Sequence, residues 1–369
     1  MKVLLVGPGL YGDGVSVVLF NLYCFLVNAG IQCDVAIAKI PDKNSAEYEQ
    51  IINDKNHVIL IPRISKVGPL KFYKIIKEVC INNKYDVIHI HTGFLIWLSA
   101  WAARSAQVPV RIGHAHGSRF GNKYSFVILK LFMPLFRFLN RKFCTELIGC
   151  SKISCIANFG VEGKFFPNYV FSDKLTCYTH KDIHEFRKSI VPDSKALIFG
   201  YMGTLSKLKN VLFLPQIIYH LRKLGINAYL LIAGRGPKEA QLLEEIKELN
   251  LGKYVLFLGQ RKDTNLLIQT FDYYISASFS EGMSMSMIEA QLSGKQCFVS
   301  SLIPAESNLN IGLFYQIKGF SAEKWAQEII SVIKNSNRYS REEAIRKAEE
   351  QGFSVDAITK QLLHFYNKI

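Results

Sequence analysis

Two glutamates, Glu281 and Glu289, stand eight residues apart in the segment Ser280-Glu281-Gly282-Met283-Ser284-Met285-Ser286-Met287-Ile288-Glu289-Ala290. The segment follows an apolar run and opens a stretch of helical periodicity. Glu281 therefore falls on a loop and Glu289 a turn or more into a helix. Carboxylates accept hydrogen bonds from paired hydroxyls strongly, which suits one glutamate to a sugar ring and the other to a ribose. The loop and helix start between them offer backbone amides to a diphosphate. Two isolated glutamates would read as solvated surface; the glycine and the strand–loop–helix setting favour a site. His114-Ala115-His116-Gly117 closes another apolar run, where an imidazole can either face a ligand or simply pack. Gly7-x-Gly9-x-x-Gly12 has the spacing of a dinucleotide fingerprint. That fingerprint also requires an acid at the end of the second strand. Here the strand ends Ala36-Ile37-Ala38-Lys39, with Asp34 at its start. Nicotinamide or flavin binding is therefore disfavoured. Gly12 and Gly14 read instead as a flexible loop that lets backbone approach a phosphate or a sugar, or as a turn that needs glycine.

The elements that position these residues alternate strand and helix. Lys2–Gly7 is a strand, Val15–Ala29 a helix closed by Gly30, and Cys33–Ala38, His57–Ile61, Tyr85–His91 and Val110–His114 are further strands. Helices fall at Leu70–Asn82 and Leu95–Ala106. After a less regular middle the rhythm restarts with strands Ala196–Met202, Ala228–Ala233, Tyr254–Leu258, Tyr273–Ala277 and Gln296–Ser300. Helices Val211–Leu224, Glu239–Leu249, Asn265–Phe271 and Met285–Leu292 lie between them, and Arg341–Gln351 and Val355–Tyr366 follow. The pattern predicts an α/β chain of two Rossmann-like domains with parallel sheets: 1–170, 171–352, and a terminal helix in 353–369 that crosses back to the first domain. Pro167, Pro192 and lost periodicity mark 167–195 as the linker. Ligands bind outside the carboxyl ends of such strands, so two facing domains are expected to open their switch points onto one cleft.

The chain of 369 residues carries a formal net charge of +15, of which residues 1–166 hold +10 and the remainder +5. Such an excess points to anionic partners. No zinc spacing or nucleic-acid module accompanies it, so nucleic acid is not expected as a partner. The eight cysteines form no Cys-x-x-Cys pair and read as reduced, mostly buried thiols of a cytosolic protein; no metal site is expected. The opening MKVLLVGPG is too short and glycine-rich for a signal peptide, and no apolar run reaches about 20 residues. A cytoplasmic location is expected. Residues 119–144 combine Arg119, Lys123, Lys130, Arg137, Arg141 and Lys142 with the Phe- and Leu-rich stretch Phe126–Leu139, without an acid. That composition suits a helix lying on an anionic membrane surface, or an ordinary core helix with basic flanks.

The glutamate segment resembles the E-x7-E motif of the family-4 retaining glycosyltransferases, which have the GT-B fold. The resemblance extends through Gly203-Thr204-Leu205 with Lys209-Asn210, Ala233-Gly234-Arg235-Gly236-Pro237, Val255–Arg261 and Glu289-Ala290-Gln291-x-x-Gly294. Gly12–Gly14, His89-Ile90-His91 and His114–Gly117 also fall at family positions, and the likeness is greatest to the branch that builds bacterial capsular and exopolysaccharides. It implies transfer of a sugar from a nucleotide diphosphate donor, UDP-linked, to a lipid-linked saccharide, with no cofactor and no metal. It implies that Lys209 neutralises the departing diphosphate, Glu281 holds the transferred sugar and Glu289 the ribose. Gly282, Met283 and Ser284 would lend backbone to the donor, Gly203 and Gly234 would shape the two glycine loops, and Arg261 and Asn265 would lie near the base. His116, or His114 two residues earlier, would touch the sugar. The family places an arginine where this chain has Thr204; either another cation, Arg235 or Arg261, substitutes for it, or turnover is weak. A non-catalytic partner subunit and a sugar-nucleotide epimerase on the same scaffold are the competing readings.

Overall fold

A computed structural model of the chain describes residues 1–10, 14–38, 46–117, 125–335 and 339–367, without the side chains of 46–48, 125–130 and 174. The chain divides into two compact units, Met1–Tyr169 with Val355–Ile369, and Val170–Ser354.

In chain order the first unit contains β1 (Lys2–Gly7), α1 (Gly14–Asn28), β2 (Gln32–Ile37), α2 (Ala46–Asn53), β3 (Val58–Leu60), α3 (Ile64–Val67), α4 (Pro69–Asn83) and β4 (Val87–Ile90). It continues with α5 (Ile96–Ser105), β5 (Val110–Ala115), α6 (Ser125–Phe143), β6 (Glu146–Gly149), α7 (Lys152–Phe159) and β7 (Lys164–Phe165). Among the described residues its sheet has seven parallel strands, ordered β3-β2-β1-β4-β5-β6-β7. Leu4, Val6, Ile88 and Ile90 of the inner strands are fully buried against Ile96, Leu98 and Phe159 of the helices. Strands buried on both faces need continuous apolar runs, which is why they are legible in the sequence. The less regular middle of the chain holds β6, α7 and β7; α7 is capped at Ser151 and stopped by Gly160 in the left-handed region.

The second unit contains α8 (Asp173–Thr176), α9 (His180–Ile190), β8 (Leu197–Met202), α10 (Phe213–Lys223), β9 (Ala228–Ala233), α11 (Glu239–Glu248), β10 (Val255–Gly259) and α12 (Thr264–Thr270). After these come β11 (Tyr273–Ser276), α13 (Met285–Leu292), β12 (Gln296–Ser300), β13 (Phe314–Ile317), α14 (Ala322–Asn335) and α15 (Arg341–Glu350). Its sheet is parallel, ordered β10-β9-β8-β11-β12-β13. The core joins Phe199, Leu230, Ile275, Phe298 and the fully buried Trp325. The stretch 167–195, expected as a linker, instead includes two helices of this unit. A capping box between Thr179 and Asp182 starts α9, and Arg187 ties it to Thr270 O, Ala196 O and Asp272. The last helix, α16 (Val355–Tyr366), returns to the first unit, where Gln361 Nε2 donates to Phe165 O and Tyr366 is fully buried.

Candidate active site

In the second unit the strand order reverses direction between β8 and β11, which pair directly although β9 and β10 intervene in sequence. A crevice at such a switch point is where an open parallel sheet binds ligands. The loops leaving β8 and β11 are joined there by Phe279 N donating to Leu208 O at 2.9 Å. Lys209, on the first loop, places Nζ 2.5 Å from Oε2 of Glu281 on the second. Glu281 is 8% exposed, and its other oxygen accepts from Ser278 Oγ at 2.8 Å; Ser278 in turn lies 3.2 Å from Ser276 Oγ. A buried carboxylate needs such partners, because one left unpaired carries a large desolvation cost. Burial first, then the nearby Tyr274 and Glu281, hold the Tyr201 phenol well above its usual range, so it stays a neutral donor to Thr204 O.

Gly282 and Met283 are buried behind Glu281, and Ser284 is the N-cap residue of α13. Ser284 Oγ lies 3.1 Å from Ser286 Oγ, and Ser286 donates to Met202 O and meets Tyr274 OH. These contacts hold the start of α13 against the end of β8. Glu289 is half-buried a turn into that helix.

The two glycine loops are in direct backbone contact. Gly203 and Gly234 have φ of 155° and 139°, and a Cβ on Gly234 would sit 1.9 Å from Gly203 O. Only glycine fits there. Arg261 is engaged elsewhere: its Nε donates to Asp263 Oδ1 at 2.8 Å and its Nη2 pairs with Oδ2. Asn265 lies at the start of α12, its carbonyl accepting from Gln269.

In the first unit, Gly12 lies outside the described residues, and Gly14 is the exposed first residue of α1. Asp34 is sequestered: Tyr85 OH and the His57 amide donate to its carboxylate at 2.7 and 2.9 Å, and Lys2 lies 3.3 Å away. No part of it is exposed to meet a ribose. Burial alone would raise its pKa, but those bonds and the lysine charge bring it below the usual carboxylate range.

His116 and His114 belong to a larger arrangement that single motifs did not reveal. His89 lies in β4 and His91 just past its end, His114 in β5 and His116 just past its end, and the parallel pairing of the two strands sets all four imidazoles side by side. Tyr366 OH lies 2.7 Å from His89 Nδ1, His89 Nε2 3.1 Å from His114 Nδ1, and His91 Nδ1 2.7 Å from His116 Nε2. His89 and His114 are wholly buried and His116 half-buried. Burial pushes His89 to about 3 and His116 to about 4, and His91 and His114 well below the ordinary imidazole value, so all four are neutral. Nitrogens of His89, His91 and His114 lie within 4.8 Å of one another, a spacing that admits a cation. Both nitrogens of His89 are already bonded, however, and its ring lies within 20–26° of its neighbours' planes. Near-parallel rings send their in-plane lone pairs in parallel rather than convergent directions. The arrangement is a hydrogen-bonded stack. His-x-His on each of two adjacent strands was the signal for it. One nitrogen of His116 faces His91 and the other is buried.

Comparison with known proteins gives the family and the fold. The profile described as "Glycosyltransferase Family 4" matches residues 12–156, and that described as "Glycosyl transferases group 1" matches 182–351. The chain is a glycosyltransferase with a domain of each of these two families. This glycosyltransferase is 27% identical over 375 residues to EpsF of Bacillus subtilis (strain 168), a glycosyltransferase by inference, covering 99% of this chain and 96% of that protein. It is 26% identical, over 70% of each chain, to the Escherichia coli UDP-Gal:alpha-D-GlcNAc-diphosphoundecaprenol alpha-1,3-galactosyltransferase. Its fold matches that of Alr3699/HepE from Anabaena, solved in complex with UDP and glucose, with a TM-score of 0.80 over the whole of both chains at 17% identity. Two parallel-sheet Rossmann-like halves and a returning terminal helix make it a GT-B protein.

Proposed function

We propose that this glycosyltransferase moves a sugar, with retention and without a metal, from a UDP-linked donor to a lipid-linked saccharide in surface-polysaccharide assembly. The observation that carries the reading is the pair of the half-buried Lys209 with the buried Glu281 at the switch point between β8 and β11. Cleavage takes the bonding electrons of the anomeric C–O bond onto the diphosphate, and the acceptor oxygen bonds the anomeric carbon as its proton passes to the leaving phosphate. Negative charge grows on the diphosphate and positive character on the ring. Lys209 answers the first and the Glu281 carboxylate lies beside the second, so the pair stabilises the separated charges more than the intact donor. Glu289 takes the ribose hydroxyls, the backbone of Gly282, Met283 and Ser284 lines the phosphate, and His116 flanks the transferred sugar. Support for the donor and acceptor comes from the relatives, which include a UDP-galactose enzyme acting on a diphosphoundecaprenol substrate. Turnover of a UDP-sugar that is unchanged by chelator and not raised by manganese is the expected result; activity lost in chelator and restored by manganese would refute the metal-free chemistry.

A peripheral position on the inner face of the cell membrane fits α6. Arg119 and Lys123 lie outside the described residues, but Leu131, Phe132, Leu135 and Phe138 form an outward apolar stripe, 77%, 48%, 48% and 50% exposed. The opposite face is anchored by the fully buried Asn140, which bonds Trp97 N and Asn158 O. Arg137 and Arg141 bond carbonyls at the end of α7, leaving Lys142 exposed beside the stripe. Among the described residues no helix is long and apolar enough to cross a membrane. An apolar stripe with basic neighbours lies in the interface instead.

A further inference from the structure

Thr204 stands in the first glycine loop where the family places an arginine, which leaves Lys209 without that partner, and the structure shows what stands beside Thr204. The parallel register of β8 and β9 pairs Met202 with Ala233. It continues past both strands: Gly203 N donates to Ala233 O at 3.0 Å and Leu205 N to Arg235 O at 2.9 Å. In a parallel ladder an amide bonds the carbonyl one residue before its partner. These bonds therefore pair 203 with 234, 204 with 235 and 205 with 236. Thr204 and Arg235 are lateral neighbours, at the roughly 4.8 Å spacing of adjacent strands. The close approach is enforced by the flanking glycines, since a Cβ on Gly236 would lie 2.2 Å from Leu205 O, as one on Gly234 would clash with Gly203 O. Arg235 is thus the one side chain longer than a hydrogen between those glycines.

The charges nearby separate the two arginines, Arg235 and Arg261, that could take the missing place. Lys209 is balanced by Glu281, and Arg261 is held in a two-point pair by Asp263. The Arg235 side chain is exposed and, among the described residues, makes no hydrogen bond or ion pair. A diphosphate leaving with at least two negative charges would find a half-neutralised clamp if Lys209 acted alone.

We propose that Arg235 supplies the second cation of the diphosphate clamp, reaching from the second glycine loop into the place that Thr204 leaves vacant on the first. The inference rests on the donor reading above. The guanidinium meets phosphate oxygens in two-point fashion, which lysine cannot do. The cation has moved laterally by one strand while the charge facing the diphosphate is kept.

Relocating the charge tests this. R235Q, T204R and the double variant are compared with the unaltered chain for kcat/KM with a UDP-sugar and for binding of UDP and of uridine. R235Q is expected to lower kcat/KM by about a hundredfold, the order seen when one such donor is removed. It should weaken UDP while leaving uridine unchanged, and R235K should retain part of the activity. T204R added to R235Q is expected to restore kcat/KM to within about fivefold, because the backbone that carries the new arginine lies within about 5 Å of the one that carried the old, and the long side chain spans that difference. Thermal melting of each variant shows whether it is folded. R235Q within threefold of the unaltered chain overturns the proposal, as does a folded T204R/R235Q that stays as impaired as R235Q, or equal loss of UDP and uridine binding. If the unaltered chain binds neither UDP nor UDP-sugars, the donor reading itself has failed, and the two failures are distinguishable.

Discussion

Acid should open the first unit through its histidine stack. His89, His91 and His114 are at most 4% exposed and are held neutral by burial, His89 down to about 3. In an unfolded chain each would protonate near 6.5. Because the folded values lie below the unfolded one, their stability is complete above pH 6.5 and is lost as pH falls toward the folded values. Each pH unit below 6.5 costs about 1.4 kcal/mol per imidazole kept neutral. At pH 5 that is about 2 kcal/mol each and at most about 6 for the three, leaving out the half-exposed His116. A domain holds roughly 5–15 kcal/mol in all, so the loss by pH 5 is a large share of the first unit's stability. Urea unfolding followed at pH 7.5, 6.5, 5.5 and 5, with amide exchange in Val87–Ile90 and Val110–Ala115 as the local probe, measures the slope. The expected slope is about 4 kcal/mol per pH unit between pH 6 and 5, and H89Q should reduce it by about 1.4. A slope below about 1 in the unaltered chain would mean that the imidazoles are charged or solvated in the folded protein, and the reasoning from burial would fail.

Three further outcomes follow from the same geometry. G234A forces a methyl within 1.9 Å of Gly203 O and should destabilise the second unit by about 2–4 kcal/mol, read as a lower urea midpoint. K209M should lower kcat about a hundredfold and also cost roughly 3 kcal/mol of stability, because it strips Glu281 of its buried counter-charge; K209M/E281Q should regain the stability and not the activity. L131E/L135E, on the exposed stripe of α6, should reduce flotation with anionic vesicles at least tenfold at unchanged melting temperature.

Much of this was legible in the sequence because parallel strands are buried on both faces. Leu4–Val6, Leu230–Ile232 and Tyr273–Ile275 stand out as apolar runs for that reason. Met285–Leu292 was bounded by its setting, with a loop glycine before it and Gly294 after it in the left-handed region. Where the signal is tertiary the sequence is silent. The apolar stripe of α9 is only Ile183, Phe186 and Ile190, none of them fully buried, and it stands among charged residues between two prolines, so it is faint within the expected linker. Lys209 and Glu281 are 72 residues apart and meet only because β11 inserts beside β8. The histidine stack needs the register of β4 on β5, which no spacing within either motif reveals. Arg235 could be named from the sequence as a spare cation, but only the loop pairing sets it beside Thr204 and only the Asp263 contact removes Arg261 from contention.

The most direct measurement is a crystal structure of the glycosyltransferase with an intact UDP-sugar. The diphosphate is expected against Lys209, the ribose hydroxyls on Glu289 and the hexose hydroxyls on Glu281, with no metal bridging the phosphates. A donor bound away from these three side chains, or a diphosphate held by a divalent cation, would contradict the central claim.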